Sequence, residues 1–289
     1  MFSEPCSFKF IHCDFKIIFN LKTNQIPFPS ERVRDRMIKN ILKGIRAYAG
    51  SIQLISKLGL WKYFGIPILI SILVATLVLV SAYALADDFG YYFSKLWIWD
   101  WGKETFFFLS KILSGILILL VGITVYKHVV MALSAPFMGP VSEKIEAYLL
   151  GVDNHKHRKT SFNEQLWRGI RINMRNLGME ILLTIPILFI GFIPILGFVS
   201  TILLILTQGY YAGFGNMDYT LERHFKYDES IKFVKQHRGL AIGNGVVFIL
   251  FLLIPVIGFI LVLPLSVTAA STQTVKLLQE ENKLKTYDL

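Results

Sequence analysis

Cysteine and charge are both scarce in this sequence. Of 289 residues only Cys6 and Cys13 are cysteines, and 17% are charged, whereas 54% are hydrophobic. Two cysteines near one end are too few for a disulfide framework, and they lack the paired spacing of a zinc site. Because a soluble domain carries far less apolar surface, the composition predicts an integral membrane protein.

The sequence also lacks the common motifs of nucleotide binding and hydrolysis. It contains no Walker element, no HExxH and no nucleophile elbow, which disfavours an ATP-driven pump or a membrane hydrolase. Gly213–Gly215 is a lone Gly-x-Gly, and the short polar loop with Asp153, His155 and His157 has no further ligands nearby in sequence. We therefore expect no catalytic activity, no cofactor and no metal site.

Two long stretches in the first half have the length and composition of membrane-spanning helices. Every residue from Tyr63 to Ala86 is uncharged, and this length is enough for a hydrocarbon core of roughly 30 Å. A second candidate extends from about Thr105 to Ala135. Its most apolar part lies between Lys111 and Lys127, whose ammonium groups we expect to snorkel toward the two head-group regions.

The second half contains two uncharged runs, Ile181–Met217 and Gly239–Val275. Each would reach about 55 Å as one straight helix, which is too long for one crossing and too short for two crossings with a turn between them. Near its middle each run contains a similar element, "IPILGF" from Ile193 and "IPVIGF" from Ile254. The repeated element indicates that the two runs share one structure.

Proline and glycine should stop or sharply bend each of these helices, because proline removes a backbone donor and glycine loosens the turn. We therefore predict two partly penetrating helical hairpins, with Pro194 and Gly197 at one tip and Pro255 and Gly258 at the other. The alternative is two strongly tilted full crossings per run. The predicted fold is an all-α integral membrane protein with two long transmembrane helices, two such hairpins and amphipathic cytoplasmic helices.

The first 36 residues differ from the rest, because their short apolar pieces are interrupted by charges and form no continuous core of a secretory signal. We interpret residues 1–36 as a poorly structured extension, either an artefact of a wrongly assigned start or a genuine disordered tail. From Met37, apolar residues at helical spacing alternate with basic ones, which predicts an amphipathic helix at the membrane surface. Residues 37–280 then form a single membrane domain, and residues 281–289 a cytoplasmic tail.

The uneven distribution of basic residues predicts the orientation of the chain. Met37–Lys62 carries five basic residues and no acid, whereas Asp87–Glu104 carries more acids than bases. The positive-inside rule places the first segment in the cytoplasm and the second outside. Both termini and both hairpin entrances are then cytoplasmic. The net charge of +10 reflects this sidedness and attraction to anionic lipid, and does not require nucleic acid.

A resemblance to a known family is clearest in "SAPFMGPVSEKIEAYLLG", Ser134 to Gly151. This stretch resembles the motif of the CysZ-type sulfate permease family, which is related to the etoposide-induced membrane proteins of eukaryotes. Further similar elements occur in the family's order: "GLWKY", the paired Ile-Pro elements, "MDYTLERH" and "LPLSVTAAST". The resemblance covers about residues 37 to 280. It implies an oligomeric, all-helical inner-membrane protein with two long spans and two partly penetrating hairpins, carrying sulfate inward.

The resemblance also implies an anion-binding element, and this chain departs from the family there. Sulfate-binding members resemble one another in Gly-Leu-Arg-Arg or Gly-Ile-Arg-Arg just before the first span, where this chain has Gly59, Leu60, Trp61 and Lys62. We predict Gly59, Leu60 and Lys62 as the anion-binding residues, because backbone N–H groups at the opening of a helix and the charge of Lys62 still suit an oxyanion. Lysine lacks the planar guanidinium with which arginine makes bidentate contacts to an oxyanion. This difference argues against sulfate as the substrate. The alternative for Lys62 is an interfacial anchor.

Four further charged residues are candidates for a gate or for cytoplasmic ion pairs. Glu143 and Glu146 lie three apart on one face of the predicted helix, and Arg168 and Arg171 lie near one stripe of an amphipathic segment. The glutamates either pair with these arginines and lock the cytoplasmic layer, or form part of a gate. The arginine stripe either contacts lipid head groups or leads substrate to the path.

These observations favour a permease or channel for a small, sulfate-like oxyanion, working without ATP hydrolysis. The expected partners are the oxyanion, membrane lipid and further copies of the chain. A membrane scaffold or regulatory protein of the same fold is the alternative. The two differ in whether polar residues inside the hairpins converge on one wet path or scatter; these residues are Thr184, Ser200, Thr207, Gln208, Asn244 and Ser266.

Overall fold

Helices make up almost all of the chain that the structure describes. The computed structural model describes residues 31–98, 101–151, 160–191, 193, 196–254 and 257–284. These ranges contain nine helices and no strand: α1 Glu31–Arg46, α2 Ser51–Lys57, α3 Trp61–Ser94, α4 Lys103–Leu150, α5 Phe162–Gly191, α6 Gly197–Leu221, α7 Tyr227–Gln236, α8 Arg238–Leu252 and α9 Ile257–Glu280. The prediction of an all-helical protein is confirmed for this part of the chain.

The chain divides into two units near its amino-terminal end. Lys39–Leu289 form one compact unit, and of the residues that precede it the structure describes only Glu31–Ile38, the first turns of α1. α1 begins at Glu31, before the start that the amphipathic pattern predicts at Met37. Cys6 and Cys13 lie outside the described residues.

α3 and α4 form a long antiparallel pair. A Cβ on Gly90 would lie only 2.7 Å from the Cα of Lys111, and a Cβ on Gly122 would overlap the side chain of Val78. The two helices therefore approach closely at the middle of α3 and near its carboxyl-terminal end. At 1.5 Å per residue they extend about 50 Å and about 70 Å, well beyond a hydrocarbon core of roughly 30 Å.

Within the described ranges, five helices are long and apolar enough to cross a membrane by length and composition: α3, α4, α5, α6 and the part Gly258–Glu280 of α9. α8 is apolar but shorter. α5 and α6 are longer than the two arms of the uncharged run, because the helical backbone continues beyond the charged residues at its ends. α5 begins at Phe162, before the run, and α6 continues to Leu221, after it. The partial depth of the two hairpins stays a prediction.

Both uncharged runs are interrupted in the helical backbone. α5 ends at Gly191 and α6 begins at Gly197, while α8 ends at Leu252 and α9 begins at Ile257. Pro194 and Pro255, predicted at the two tips, lie outside the described residues.

The two tip glycines have different surroundings. A Cβ on Gly258 would overlap the carbonyl oxygen of Phe251, whereas a Cβ on Gly197 would meet the carbonyl oxygen of Gly191 at an ordinary 3.6 Å. Neither glycine has a positive φ. Gly258 is therefore needed for the close approach of α9 to α8, and its role at a hairpin tip stays a prediction.

α8 packs by backbone contact on two sides. On one side, a Cβ on Gly243 would overlap the carbonyl of Ile41 in α1. On the other side, a Cβ on Gly213 of α6 would overlap the carbonyl of Ala241, and a Cβ on Gly245 that of Gly209. Small residues allow such close helix contacts in membranes. Within the compact unit, α8 is thus held between the part of α1 from Lys39 onward and α6, and α9 packs against α4, α6 and α8.

Candidate anion site and buried ion pairs

The turn between α2 and α3 has the geometry of a helix C-cap. The N–H of Gly59 donates to the carbonyl of Ser56 at 3.2 Å, and the N–H of Leu60 donates to the carbonyl of Ile55 at 2.9 Å. Gly59 has φ +62°, and the side chains of Ile55 and Leu60 are fully buried. This is a Schellman motif with its hydrophobic contact. The N–H groups of Gly59 and Leu60, predicted to bind an anion, are therefore already engaged.

The donors that stay open belong to the next two residues. Trp61 and Lys62 begin α3, where backbone N–H groups lack an intrahelical acceptor, and α3 has no side-chain cap at its start. The indole Nε1 of Trp61 donates to Oγ of Ser56 at 3.2 Å, and the side chain of Lys62 is exposed. Of the three predicted binding residues, only Lys62 keeps a donor available to an anion.

Two other lysines lie near this helix start and were missed by sequence reasoning. The Nζ atoms of Lys62 and Lys144 each lie 5.4 Å from the ring centroid of Tyr63. The Nζ atom of Lys57 donates to the hydroxyl of Tyr148 at 2.8 Å. In the part of the chain that the structure describes, none of the three lysines forms an ion pair with a carboxylate. α4 thus brings a second cation to the ring that Lys62 faces.

Glu146 lies in a buried ion pair with the chain that follows α6. Its Oε2 accepts from Nη2 of Arg223 at 2.6 Å, and its Oε1 lies 2.9 Å from Nε2 of His224. Nη1 of Arg223 donates to the carbonyl of Tyr219 at 3.1 Å and to the hydroxyl of Ser142. Since all of these groups are buried, the network ties α4 to the end of α6.

Arg168 forms a second bridge, from α5 to α6. Its Nε and Nη2 donate to the two carboxylate oxygens of Asp218 at 3.0 and 2.9 Å. Nη1 donates to the carbonyl of Phe225 at 2.8 Å, and Nη2 also donates to Oγ of Ser230 at 2.7 Å. The fork geometry of arginine suits such a bidentate contact.

The predicted pairing of the glutamates with the arginines is therefore wrong in its partners. Glu146 pairs with Arg223, and Arg168 pairs with Asp218. Arg171 and Glu143 are both exposed, and the guanidinium of Arg171 stacks over the ring of Tyr227 at 4.0 Å. The partners that the sequence did not predict, Asp218 and Arg223, both lie in "MDYTLERH". This stretch is part of the family resemblance, but no local sequence pattern indicates which residues it contacts.

A third buried network connects α4 with α5. Nζ of Lys127 lies 2.6 Å from Oε1 of Glu180, and Nε2 of His128 lies 3.0 Å from Oε2 of the same carboxylate. Nδ1 of His128 is 3.4 Å from Oδ1 of Asn173. The prediction that Lys127 snorkels to the head groups is wrong, because its side chain is completely buried. Ionisable residues buried between membrane helices commonly have a functional role.

The polar residues of the two uncharged runs converge only in part. Nδ2 of Asn216 donates to Oδ1 of Asn244 at 3.1 Å, and Nδ2 of Asn244 donates to the carbonyl of Ser266 at 3.1 Å. The hydroxyl of Tyr48 donates to the carbonyl of Asn244 at 2.8 Å. Burial raises the pKa of Tyr48 well above its usual range, so this hydroxyl stays a neutral donor.

The other polar residues of the runs lie elsewhere. Ser200 is buried at the first interruption and donates to the carbonyl of Ile187 at 2.7 Å. Thr184, Thr207 and Gln208 are half-buried along α5 and α6. A continuous polar path therefore does not follow from these residues alone.

Metal ligands do not cluster in the described ranges, where no group of three or more His, Cys, Asp or Glu side chains is arranged to hold a metal ion. Asp153, His155 and His157 lie outside these ranges.

Comparison with known proteins gives a consistent match. The family model described as sulfate transporter CysZ/etoposide-induced protein 2.4 matches residues 47–262. A sulfate transporter CysZ of Pseudomonas fluorescens (strain Pf0-1) is 29% identical over 171 residues, 57% of this chain and 67% of the relative. A sulfate transporter CysZ of Pseudomonas aeruginosa (strain LESB58) is 27% identical over 239 residues, 80% of this chain and 93% of the relative. The matched region includes the start of α3 and all three buried networks.

Proposed function

Because this chain belongs to the family of the sulfate transporter CysZ and the etoposide-induced protein 2.4, we propose that it carries a small tetrahedral oxyanion, sulfate or a similar ion, across the cell's inner membrane. The observation that carries the proposal is the group of lysines at the start of α3. Lys57, Lys62 and Lys144 are exposed and have no carboxylate partner in the described residues. The transport needs no ATP hydrolysis, and the protein is not an enzyme.

The chemistry of the proposed site follows from the donors that are open. The first N–H groups of a helix favour an anion because they carry partial positive charge and lack acceptors. Lys62 adds one full charge on the same helix, and Lys144 adds another from α4, since both face Tyr63. Ammonium groups act as point charges without the planar fork of arginine. We therefore expect binding that depends on charge more than on the shape of the oxyanion.

The proposed architecture keeps α3 and α4 as full crossings. The hairpins α5–α6 and α8–α9 enter from the cytoplasmic side and turn within the bilayer at the two interruptions. Both termini are cytoplasmic, while Asp87 and Asp88 lie outside. Copies of the chain associate in the membrane, and the membrane lipid surrounds the exposed apolar faces of α3 and α4.

Sulfate uptake into vesicles tests the proposal. The protein is reconstituted, and uptake of labelled sulfate is measured with selenate, phosphate and chloride as competitors. Lys62→Gln and Lys144→Gln should each raise the half-saturating sulfate concentration about five- to tenfold, the effect of losing one charged contact. Lys95→Gln is the matched control, because Lys95 is also exposed and lies 4.4 Å from the ring of Tyr91 at the other end of α3. If the half-saturating sulfate concentration is the same in all three variants, Lys62 is an interfacial anchor and does not bind the anion.

A membrane scaffold or regulator of the same fold is the second candidate. It is favoured by one observation, the partial convergence of the polar residues, since only Asn244 and Ser266 of the six lie in one network. Vesicles with folded, inserted protein that take up no oxyanion above the rate of protein-free vesicles would support this candidate. Uptake that saturates and depends on Lys62 would eliminate it.

A further inference from the structure

A cavity of about 220 Å³ lies at the start of α5, apart from the lysines of α3. It is lined by polar, aromatic and charged side chains, among them Thr160, Gln165, Trp167, Arg171 and Tyr227. Within the lining, Nε2 of Gln165 donates to Oγ1 of Thr160 at 2.8 Å.

Two carboxylates, Glu164 and the buried Glu222, and two guanidinium groups, Arg168 and Arg171, line this cavity, and they are unequally engaged. Arg168 is held by Asp218, Phe225 and Ser230, as described above. Glu164 is held in a capping box, in which the N–H of Ser161 donates to its Oε2 at 3.0 Å. Arg171 is stacked on Tyr227, and among the described residues it has no carboxylate partner. Arg171 is therefore a pre-oriented guanidinium at the cavity that is available to an oxyanion.

The same helix presents apolar side chains to the surroundings. Trp167, Arg171 and Met174 lie at spacings of four and three residues, which places them on one stripe of α5. Trp167 is 69% exposed and Met174 is 60% exposed. Exposed tryptophan beside an arginine is typical of the boundary between the hydrocarbon core and the head groups. Hence the cavity has a charged side and, along the stripe, an apolar side.

We propose that this cavity binds the phosphate group of an anionic phospholipid. The guanidinium of Arg171 contacts the phosphate oxygens, and Thr160 and Gln165 contact the polar head group. Trp167 and Met174 pack on the glycerol and the first acyl carbons. A free inorganic oxyanion uses only the first of these contacts, which is the reason to assign the site to lipid. The site is separate from the anion site of α3 and does not depend on transport.

Native mass spectrometry of the full chain tests this site. Protein in detergent is mixed with phosphatidylglycerol or phosphatidylcholine, and bound lipid per chain is counted. Wild type should retain phosphatidylglycerol in preference to phosphatidylcholine. Arg171→Gln should lower that retention about tenfold, as expected for a lost charge-assisted contact. Trp167→Ala should lower retention of both lipids. Lys232→Gln, which removes an exposed positive charge from α7, should leave it unchanged.

Three results overturn the assignment. Equal loss in Arg171→Gln and Lys232→Gln would mean that net charge alone attracts the lipid. Inorganic sulfate or phosphate that displaces phosphatidylglycerol at millimolar concentration, with the same dependence on Arg171, would make this a free-anion site. Arg171→Lys keeps the positive charge but lacks the planar guanidinium, and this variant tests the site if Arg171→Gln does not fold. Retention at the wild-type level in Arg171→Lys would contradict a role for the guanidinium.

Discussion

Nζ of Lys127 lies 2.6 Å from Oε1 of Glu180, and neither side chain is exposed. The opposite charges lie on two different helices, α4 and α5, and both side chains are completely buried. Each charge needs the other, because an isolated ion in a low-dielectric interior is strongly unfavourable. Since His128 contacts the second oxygen of the same carboxylate, Glu180 is the shared partner of both α4 side chains in this network.

Loss of one partner of this pair should destabilise the protein more than loss of both. Lys127→Met or Glu180→Leu leaves a buried uncompensated charge and should cost about 3–5 kcal/mol. The double variant removes both charges and should recover much of that loss. The loss of stability is measured by thermal unfolding in detergent, with size-exclusion chromatography as the readout of the folded fraction. Additive losses in the double variant would show that the two residues do not act as a pair.

Glu146 and Glu143 should respond differently to the same substitution. Glu146→Gln removes the charge that Arg223 faces at 2.6 Å in a buried network, and should cost about 3 kcal/mol or more. Glu143 is exposed, so Glu143→Gln should change the stability by about 0.5 kcal/mol or less. Thermal unfolding of both variants is compared with sulfate uptake. A fall in uptake for stable Glu143→Gln would favour the gate, and unchanged uptake would contradict it.

The two tip glycines should also differ. Gly258→Ala places a methyl group on the carbonyl of Phe251 and should separate the start of α9 from α8, at a cost of about 1–3 kcal/mol. Gly197→Ala places it at an ordinary contact distance and should be close to neutral. Thermal unfolding and oxyanion uptake of the two variants form the test. Equal tolerance of both substitutions would contradict the close approach at Gly258.

The proposed topology makes a prediction about labelling from outside the cell. In a chain with Cys6 and Cys13 replaced by serine, a cysteine at Asp88 should react with an impermeant maleimide in intact cells. A cysteine at Asp228 should react only after the membrane is opened. Both positions are exposed in the structure, so accessibility within the protein does not limit the reaction. The reverse pattern would invert the orientation that the basic residues predict.

The sequence predicted the helices better than it predicted their contacts. Long uncharged runs and the repeated Ile-Pro element indicated the spans and the two interruptions, because hydrophobic length and proline act locally. Lys127 was misjudged, since one sequence cannot tell whether a lysine beside an apolar run faces lipid or the neighbouring helix. Arg223 and Lys144 were missed as partners for the same reason: each meets its neighbour only after distant helices pack.

The anion site illustrates a second limit. A glycine before a helix suggested open N–H groups, yet Gly59 and Leu60 complete the end of α2. Two helices share this turn, and the cap of the first uses the donors expected at the start of the second. Only the hydrogen bonds of the folded chain reveal which N–H groups stay open.

The glycine contacts of α8 limit how the protein can move. Gly243 meets Ile41 on one side, and Gly245 meets Gly209 on the other, each through main-chain atoms. Backbone surfaces in such contact cannot slide by part of a turn, since no side chain is there to change rotamer. The part of α1 from Lys39 onward, α6 and α8 therefore behave mechanically as one block. Gly258 joins the start of α9 to α8 by the same kind of contact, so any cycle of opening and closing must be carried by displacement of helices outside these contacts, such as the α3–α4 pair, against that block.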